Sequence, residues 1–285
     1  MSRRLREALT AYAMLAPAMV IFAWFSFWPF WRLLHYATWQ QNRTGTRERY
    51  VGPSQITDTL RGAEFRDGVW ISVKFLLYSV PLGIVLGLLL AMAAHRRLRG
   101  IKIFQTIFSS TIASSVAVAA VVFFTLVNPE IGVFKHVSWL SLNGPTSSLF
   151  AVSLSAVWQS LGLTFVIVLA GLQTVPEELM EAATLDGYGP IRRFFKITIP
   201  LLSPTLLFLV VVLAIRAFQA YAEMEILTNG GPAGATESLL FKITRLQQPQ
   251  DIGTGAAMSL GLFGLTVIVA AAQFGLLNRR VHYGE

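Results

Sequence analysis

The chain of 285 residues contains no cysteine, and only 13% of its residues are charged. Without cysteine it forms neither disulfide bonds nor thiolate metal sites. Soluble domains carry about a quarter charged residues, so a polar surface around an apolar core is not expected here. Hydrophobic residues make up 54% of the chain. The two shares together indicate a membrane protein.

Six stretches of 19 or more residues lack Asp, Glu, Lys and Arg altogether. An α-helix of about 20 apolar residues crosses the roughly 30 Å core of a bilayer, whereas barrel strands are about ten residues long and alternate. The stretches therefore predict an all-α membrane protein with six transmembrane helices. They are Ala8–Trp31, Phe75–Ala94, Ile103–Val127, Leu149–Val175, Ile197–Ile215 and Ile252–Asn278.

The net charge of +8 is distributed unevenly between the connections of these six helices. The segment before the first helix and those after the second, fourth and sixth helices together hold twelve Lys and Arg residues, among them Arg96, Arg97, Arg279 and Arg280. The connections after the first, third and fifth helices are longer in total but hold only eight. By the positive-inside rule, the dense set is cytoplasmic. We therefore expect a multi-pass protein of the cell membrane with both termini in the cytoplasm. No nucleic-acid-binding motif accompanies the basic charge, so no nucleic-acid partner is expected.

The chain divides into three segments by composition. Residues 1–69 contain the first helix and a polar loop with Gly45 and Pro53, which we expect outside the cell. Residues 70–277 carry the other five helices and form the expected transport domain. Residues 278–285 form a short cytoplasmic tail.

A short helix is predicted in the connection after the fourth span. The stretch from Thr174 to Glu177 matches a capping box with Pro176 at the first helical position, and acidic residues follow in the first turn. Gly187 is suited to a left-handed helix end. This helix would lie outside the bilayer on the cytoplasmic side. Two interpretations stay open at this point, insertion into a groove of another protein and an ordinary connector packed on its own chain.

Two stretches of sequence resemble a known family of transport proteins. The run Glu181-Ala182-Ala183-Thr184-Leu185-Asp186-Gly187, followed after nine residues by Ile197-Thr198-Ile199-Pro200, is similar to the EAA loop of ABC-importer permeases. The stretch with Phe218-Gln219-Ala220-Tyr221, Leu227-Thr228-Asn229-Gly230-Gly231-Pro232 and Ala235-Thr236-Glu237-Ser238-Leu239 resembles carbohydrate-type importer permeases. Within that group it most resembles the first permease subunit of glycerol-3-phosphate and glycerophosphodiester uptake systems. The resemblance covers residues 70–277.

The resemblance implies a type I ABC importer permease fold and a set of partners. The short helix would be a coupling helix seated in a dimer of cytoplasmic ATP-binding subunits, and an extracytoplasmic solute-binding protein and a second, different permease would complete the system. This chain lacks the G-x-x-x-x-G-K-[ST] phosphate loop, so it is expected to be a subunit without enzymatic activity and without a cofactor or metal. The expected coupling residues are Glu178, Glu181, Ala182, Ala183, Asp186 and Gly187.

Polar residues inside two spans are the candidates for substrate contact. A charged group in a span costs about 2.5–3.5 kcal/mol on insertion scales, so it marks a pathway or a partner. Arg216, Gln219 and Glu223 have the spacing of one face of the fifth helix. On the fourth helix, Trp158 and Gln159 fall on a stripe with Ser155 and Gly162. The two stripes are expected to line one cavity, although Arg216 and Glu223 could instead form a structural ion pair.

Two other classes of function compete with the importer interpretation. An ion-gradient-driven secondary transporter would share the apolar helices but would have no use for an EAA loop. A membrane-embedded enzyme would need acids or histidines grouped at one bilayer face. The four histidines are scattered over different loops on both expected sides, which argues against the enzyme.

Overall fold

The computed structural model describes residues 3–95 and 99–277, and helices dominate this part of the chain. The expected tail 278–285 and the basic residues Arg96, Arg97, Arg279 and Arg280 lie outside the described residues.

The described part of the chain contains two short strands and thirteen α-helices. The strands are β1 (Trp39–Gln41) and β2 (Glu48–Tyr50). The helices before the fourth span are α1 (Arg3–Phe22), α2 (Trp28–Thr38), α3 (Ser54–Arg61), α4 (Ala63–Ala94), α5 (Ile101–Ser109) and α6 (Val116–Val127). The remaining helices are α7 (Pro145–Gln173), α8 (Glu177–Leu185), α9 (Pro190–Arg193), α10 (Ile199–Phe218), α11 (Ala222–Leu227), α12 (Leu239–Arg245) and α13 (Ile252–Leu277).

Five continuous helical stretches are long and apolar enough to cross a membrane, and a bent pair of helices raises the number to six when it is counted as one span. The all-α class is therefore confirmed. The five continuous stretches are Tyr12–Thr38, Ala63–Ala94, Pro145–Gln173, Pro190–Phe218 and Pro249–Gly275.

The bent pair corrects the prediction of one straight third span. A 105° bend separates Ile101–Ala113 from Val116–Val127. Ser114 and Ser115 are extended, and the Ser115 hydroxyl accepts a hydrogen bond from the Val118 amide at 3.2 Å. Serine side chains can replace backbone partners in this way and so end one helix and begin another. The charge-free run predicted the apolar character of this region but not its interruption.

The first span is longer than its predicted run because α1 continues into α2 through a π-helical turn at Ala23–Phe27. A turn of this kind widens the helix by one residue just before Pro29. None of the most apolar stretch of this span is buried inside the chain. Its exposed aromatic side chains include Trp24, Phe25, Phe27, Trp28 and Trp31.

Contacts divide the chain into two compact units, Met1–Phe65 with Ile243–Gly261, and Arg66–Lys242 with Leu262–Glu285. In the first unit, β1 and β2 form an antiparallel hairpin in which Trp39 is paired with Tyr50. The Asn42 carboxamide oxygen accepts amide hydrogen bonds from Thr46 and Arg47 and closes the hairpin turn. Ala37, Ala256 and Ala257 pack together as a small core.

The second unit holds the larger cores, which form where α4, α7 and α10 pack together. One core contains Phe75, Leu213 and Met224, and another contains Phe165 and Leu202. Glycines permit the close approach of these helices, because a Cβ atom on Gly171 would lie 2.9 Å from Leu202.

Candidate functional site

The short helix α8 begins one residue later than the sequence predicts. Pro176 is extended (φ −61°, ψ 132°) and stands as the N-cap, so it is not the first helical residue. The predicted capping box is also absent, because the Thr174 hydroxyl donates to the Gly171 carbonyl at 2.8 Å. Thr174 follows the last residue of α7, and its hydroxyl is used by that helix instead of by α8.

The predicted end of α8 at Gly187 is confirmed. Gly187 has a positive φ of 77°, a region that only glycine enters without strain. The Tyr188 amide donates to the Ala183 carbonyl at 2.9 Å, and the Gly187 amide donates to the Thr184 carbonyl at 3.1 Å. This pair of bonds is a Schellman motif, which satisfies the last carbonyls of the helix and turns the chain sharply.

Five of the six expected coupling residues are exposed on α8 and its C-terminal turn. Ala183 is the exception: it is 5% exposed and faces the interior of its own chain. The exposed members are Glu178, Glu181, Ala182, Asp186 and Gly187. The exposed members are therefore three acidic and two small residues.

Exposed apolar side chains next to α8 were missed by the sequence analysis. Leu185 is 90% exposed, Ile191 76% and Phe195 64%. All three residues precede Ile197, where the charge-free run of the fifth span begins. Leu185 lies outside the five membrane-length stretches, whereas Ile191 and Phe195 lie at the start of the stretch Pro190–Phe218. Large exposed apolar side chains mark a surface for another protein or for the membrane. We name Leu185, Ile191 and Phe195 the apolar patch. Apolar residues in an otherwise charged connection are the signal that could have identified it.

Two arginines hold the connection after α8 in a defined shape. Arg193 Nη1 donates to the Thr184 hydroxyl at 2.6 Å, which joins α9 to the last turn of α8. The Arg192 guanidinium lies 4.0 Å from the centre of the Tyr188 ring, a cation–π contact. These contacts place basic side chains near the C-terminus of α8, where the helix dipole favours positive charge. The helix α8 and its following turn thus form one braced unit.

Three predicted substrate residues meet at a central cavity of about 40 Å³ inside the second unit. They are Gln159 from α7, Arg216 from α10 and Glu223 from α11, and Glu223 is only 7% exposed. Ser79 and Ser160 line the same cavity but were not predicted. Their hydroxyls donate to backbone carbonyls of their own helices, which is the usual role of serine in a span and gave no functional signal.

The other two predicted substrate residues do not line the central cavity. The Trp158 ring packs near Phe123, with ring centres 6.0 Å apart, and Gln219 is exposed. The residues of the expected stripe on α7 do not share one environment. Ser155 is fully buried, and Gly162 packs against Thr111 and Ile112, so only Gln159 of that stripe reaches the cavity.

The prediction that Arg216, Gln219 and Glu223 share one continuous helical face is wrong. The helix α10 ends at Phe218, and α11 begins at Ala222. The Ser238 hydroxyl donates to the Ala220 carbonyl at 3.0 Å and so satisfies a backbone group that the break releases. The partner lies 18 residues further along the chain, so the local pattern could not reveal the break.

Arg216 and Glu223 form no ion pair within 4.0 Å in the part of the chain that the structure describes. Arg216 lies on α10 and is exposed in the isolated chain. Glu223 lies on the next helix, α11, and is buried. In this conformation the guanidinium is therefore available to another group.

Comparison with protein families identifies the class of this chain. Residues 83–283 match the model of the binding-protein-dependent transport system inner membrane component. This match covers more than half of the chain, and the chain belongs to that family. It is a multi-pass inner-membrane permease subunit of an ABC importer, and it has no enzymatic role of its own.

Individual relatives extend the match over nearly the whole chain. The chain is 32% identical to the sn-glycerol-3-phosphate transport system permease protein UgpA of Escherichia coli O157:H7, over 98% of this chain and 97% of the relative. It is also 32% identical to the protein of the same name from Rhizobium meliloti strain 1021, over 96% of each chain. The resemblance to importer permeases noted in the sequence is thereby confirmed.

Solved structures support the same fold. A bacterial alginate ABC transporter, solved with an alginate-pentasaccharide-bound periplasmic protein, has a chain that matches with a TM-score of 0.81 at 20% identity, over 97% of this chain and 96% of that one. A chain of the MetNI methionine ABC transporter matches with a TM-score of 0.54 at 17% identity, over 75% of this chain and 95% of that one. These likenesses confirm the type I importer permease fold predicted for the chain.

Proposed function

We propose that this permease imports a small phosphorylated polyol, with sn-glycerol-3-phosphate or a glycerophosphodiester as the favoured substrate. The single observation that carries the proposal is Arg216 on the wall of the central cavity without a carboxylate partner. A guanidinium binds phosphate through two parallel hydrogen bonds, which an ammonium cannot match. The UgpA relatives are named for transport of sn-glycerol-3-phosphate, a compound of the same class.

The remaining cavity residues suit the hydroxylated part of such a substrate. The Gln159 amide can both donate to and accept from a hydroxyl, and the Glu223 carboxylate accepts from one. Trp158 and Gln219 remain in the proposed site as residues that approach the substrate when the cavity widens. A cavity of about 40 Å³ has room for little more than one water molecule, so substrate passage requires an alternative arrangement of these helices.

We also propose that α8 couples the permease to the ATP-binding subunits. The acidic residues Glu178, Glu181 and Asp186 would meet basic side chains of the partner, and the apolar patch would fill its cleft. Because α8 and α9 are braced by Arg193, closure of the ATPase dimer would move them together with the adjoining helix α10. That movement would switch the central cavity between inward-facing and outward-facing states.

The proposed orientation has both termini in the cytoplasm, which puts α8 on the side where ATP is available. Residues 1–69 and 278–285 would then be an outward-looping anchor and a cytoplasmic tail around the transport domain 70–277. A second, different permease subunit would complete the translocation pathway. A solute-binding protein would dock on the outer face; the alginate transporter was solved in complex with its periplasmic protein.

The first test is to purify the tagged chain from its native membrane in mild detergent, and to identify the proteins that accompany it. The proposal predicts that an ATP-binding subunit and a second permease copurify, and that the eluate hydrolyses ATP. A chain that purifies alone and without ATPase activity in several detergents would contradict the proposed assembly.

The second test concerns the substrate. Proteoliposomes that contain the assembled complex and trapped ATP are supplied with the solute-binding protein and with radiolabelled sn-glycerol-3-phosphate, glycerol or maltose. Accumulation of the phosphate ester, with little accumulation of the two neutral compounds, is expected. Accumulation of maltose instead would overturn the phosphorylated-polyol assignment and leave the importer assignment intact.

A further inference from the structure

A second, larger cavity lies between α4, the start of α7 and the segment that leads into α12. Its volume is about 460 Å³, in the range of small-molecule sites and far above the central cavity. Its polar and aromatic lining consists of Asp67, Trp70, Lys74, Tyr78, Glu237 and Lys242. All of these residues belong to the second unit.

The wall formed by α12 is fastened to α4 through the main chain. The Leu239 amide donates to the Ser72 hydroxyl at 2.9 Å, and both residues are fully buried. A Cβ atom on Gly68 would lie 3.1 Å from the Leu239 Cα, so glycine at this position favours the close approach of the two segments. The positions of Glu237 and Lys242 opposite Lys74 are therefore set by packed backbone and not by a mobile loop.

The charges in this cavity are not all paired with one another. Lys242 Nζ lies 3.6 Å from Glu237 Oε2, and the Lys242 side chain is only 17% exposed. Lys74 Nζ instead lies 5.0 Å from the centre of the Trp70 ring. Among the described residues, no carboxylate lies within 4.0 Å of the Lys74 ammonium. The cavity thus offers one ammonium group that is held by a ring and is open to an anionic ligand.

We propose that this cavity is an outer receiving site for a small hydroxylated phosphate ester, which occupies it before it reaches the central cavity. Lys74 binds the phosphate, with Lys242 beside it, and the carboxylates of Asp67 and Glu237 accept hydrogen bonds from the hydroxyls. Trp70 and Tyr78 offer apolar ring faces to the carbon chain. Asp67 and Glu237 repel inorganic phosphate and the phosphate ester alike, but only the ester offsets this repulsion by donating hydrogen bonds from its hydroxyls to the two carboxylates.

This inference rests on the substrate class and the orientation proposed above. It also explains a contrast between the two cavities. The outer cavity has space for a molecule of the size of glycerol phosphate, whereas the central cavity in the same conformation does not. A substrate delivered from outside could therefore be held in the outer cavity until the central one widens.

The test uses the complete complex in proteoliposomes and measures the initial rate of sn-glycerol-3-phosphate uptake against concentration. For Lys74→Gln, loss of one charge-assisted hydrogen bond is expected to raise KM about tenfold and to change kcat less than about twofold. Lys74→Arg should restore most of the affinity. The matched control is Lys135→Gln, since Lys135 is an exposed lysine that does not line the cavity, and its KM should equal that of the wild type.

The outcomes separate this inference from the proposed function. Normal uptake by the wild type with an unchanged KM in Lys74→Gln would overturn the receiving site and assign Lys74 to anchoring at the membrane surface. A fall in kcat without a change in KM would assign Lys74 to the movement of the helices and would also overturn it. Absence of uptake by the wild type would overturn the proposed substrate itself.

Equilibrium binding gives a readout that does not depend on transport. The complex is placed in nanodiscs of neutral lipid without solute-binding protein or ATP, and binding of labelled sn-glycerol-3-phosphate is measured with glycerol and inorganic phosphate as competitors. Binding that is lost in Lys74→Gln and is displaced less well by either competitor than by the unlabelled ester supports the site. Binding that is equal in wild type and Lys74→Gln contradicts it.

Discussion

At the residue scale, the proposed mechanism depends on two positions. Arg216 supplies a positive charge at the wall of the central cavity, and Gly187 supplies the left-handed turn that ends the coupling helix. Each has a role that its nearest chemical substitute cannot fill. The guanidinium of Arg216 offers a fixed fork of donors that suits an anion, and Gly187 adopts a backbone conformation that a Cβ atom makes unfavourable.

Replacement of Arg216 by alanine is expected to abolish substrate uptake and to leave assembly of the complex intact. The guanidinium makes no ion pair with Glu223, so its removal leaves no buried partner without a counterion. Uptake and copurification of the partner subunits are measured on the same membranes. Arg49→Ala serves as the control, because Arg49 is an exposed residue of β2. Loss of assembly in Arg216→Ala would instead indicate a structural ion pair in the complex.

Replacement of Gly187 by valine should uncouple ATP hydrolysis from transport. A β-branched residue at φ 77° costs about 1–2 kcal/mol, so the end of α8 would rearrange. The matched control is Gly189→Ala, because Gly189 has a φ of −65° and open space around its Cβ position. ATPase activity and uptake are measured with the purified complex. Equal uptake in Gly187→Val and Gly189→Ala would contradict the role assigned to this turn.

At the scale of elements, the coupling helix acts together with the connection that follows it. The acidic residues Glu178 and Glu181 offer charge, while Leu185 and Ile191 offer apolar area that the permease itself does not cover. A partner that buries a leucine side chain gains about 1.5–3 kcal/mol. Charge would therefore orient the ATP-binding subunit, and the apolar patch would supply much of the affinity.

Replacement of Leu185 by aspartate is expected to weaken binding of the ATP-binding subunit by at least about tenfold. Because Leu185 is 90% exposed, the thermal stability of the permease alone should stay within about 0.5 kcal/mol of the wild type. Leu185→Met keeps the apolar contact and is the control. Affinity is measured by titrating the purified permease with its ATP-binding subunit. Unchanged affinity in Leu185→Asp would place the docking surface elsewhere.

The charge-free runs of the sequence agree only in part with the helices of the structure. Charge-free runs predicted where helices exist, since only helices satisfy the backbone within a bilayer. They did not predict the interruption at Ser114–Ser115, because the charge-free run continues through it. They did not predict the one between Phe218 and Ala222 either, which lies beyond the end of the fifth run at Ile215. The second interruption depends on Ser238, a distant residue whose hydroxyl satisfies the Ala220 carbonyl. Local pattern contains no information about such a partner.

The sequence also predicted the candidate site only in part. Arg216, Gln159 and Glu223 were identified because charged or amide side chains in a span are costly without a role. Trp158 was included because it shares a helical stripe with Gln159, and Gln219 because the fifth helix was assumed to continue past Phe218. Neither residue lines the cavity in the structure. The outer cavity escaped notice because its walls come from distant parts of the chain, joined by the Ser72–Leu239 hydrogen bond.

At the scale of the whole molecule, the chain is one moving part of a larger assembly. The family supplies its class, that of an inner-membrane component of a binding-protein-dependent transport system. The central cavity is too small for a phosphorylated polyol in the present conformation, and α8 lies on a separate, exposed part of the second unit. We propose that helix α10 connects α8 with the central cavity. ATP hydrolysis by a partner would then change the size of the cavity and the side from which it is accessible.

The dependence of uptake on its energy source tests this account most directly. Accumulation of radiolabelled sn-glycerol-3-phosphate is measured in proteoliposomes of the assembled complex, either with trapped ATP or with an imposed proton or sodium gradient. We predict accumulation with ATP and the solute-binding protein, none with either gradient alone, and none with ATP in Gly187→Val. Accumulation driven by an ion gradient in the absence of ATP would contradict the account and assign the chain to secondary transport.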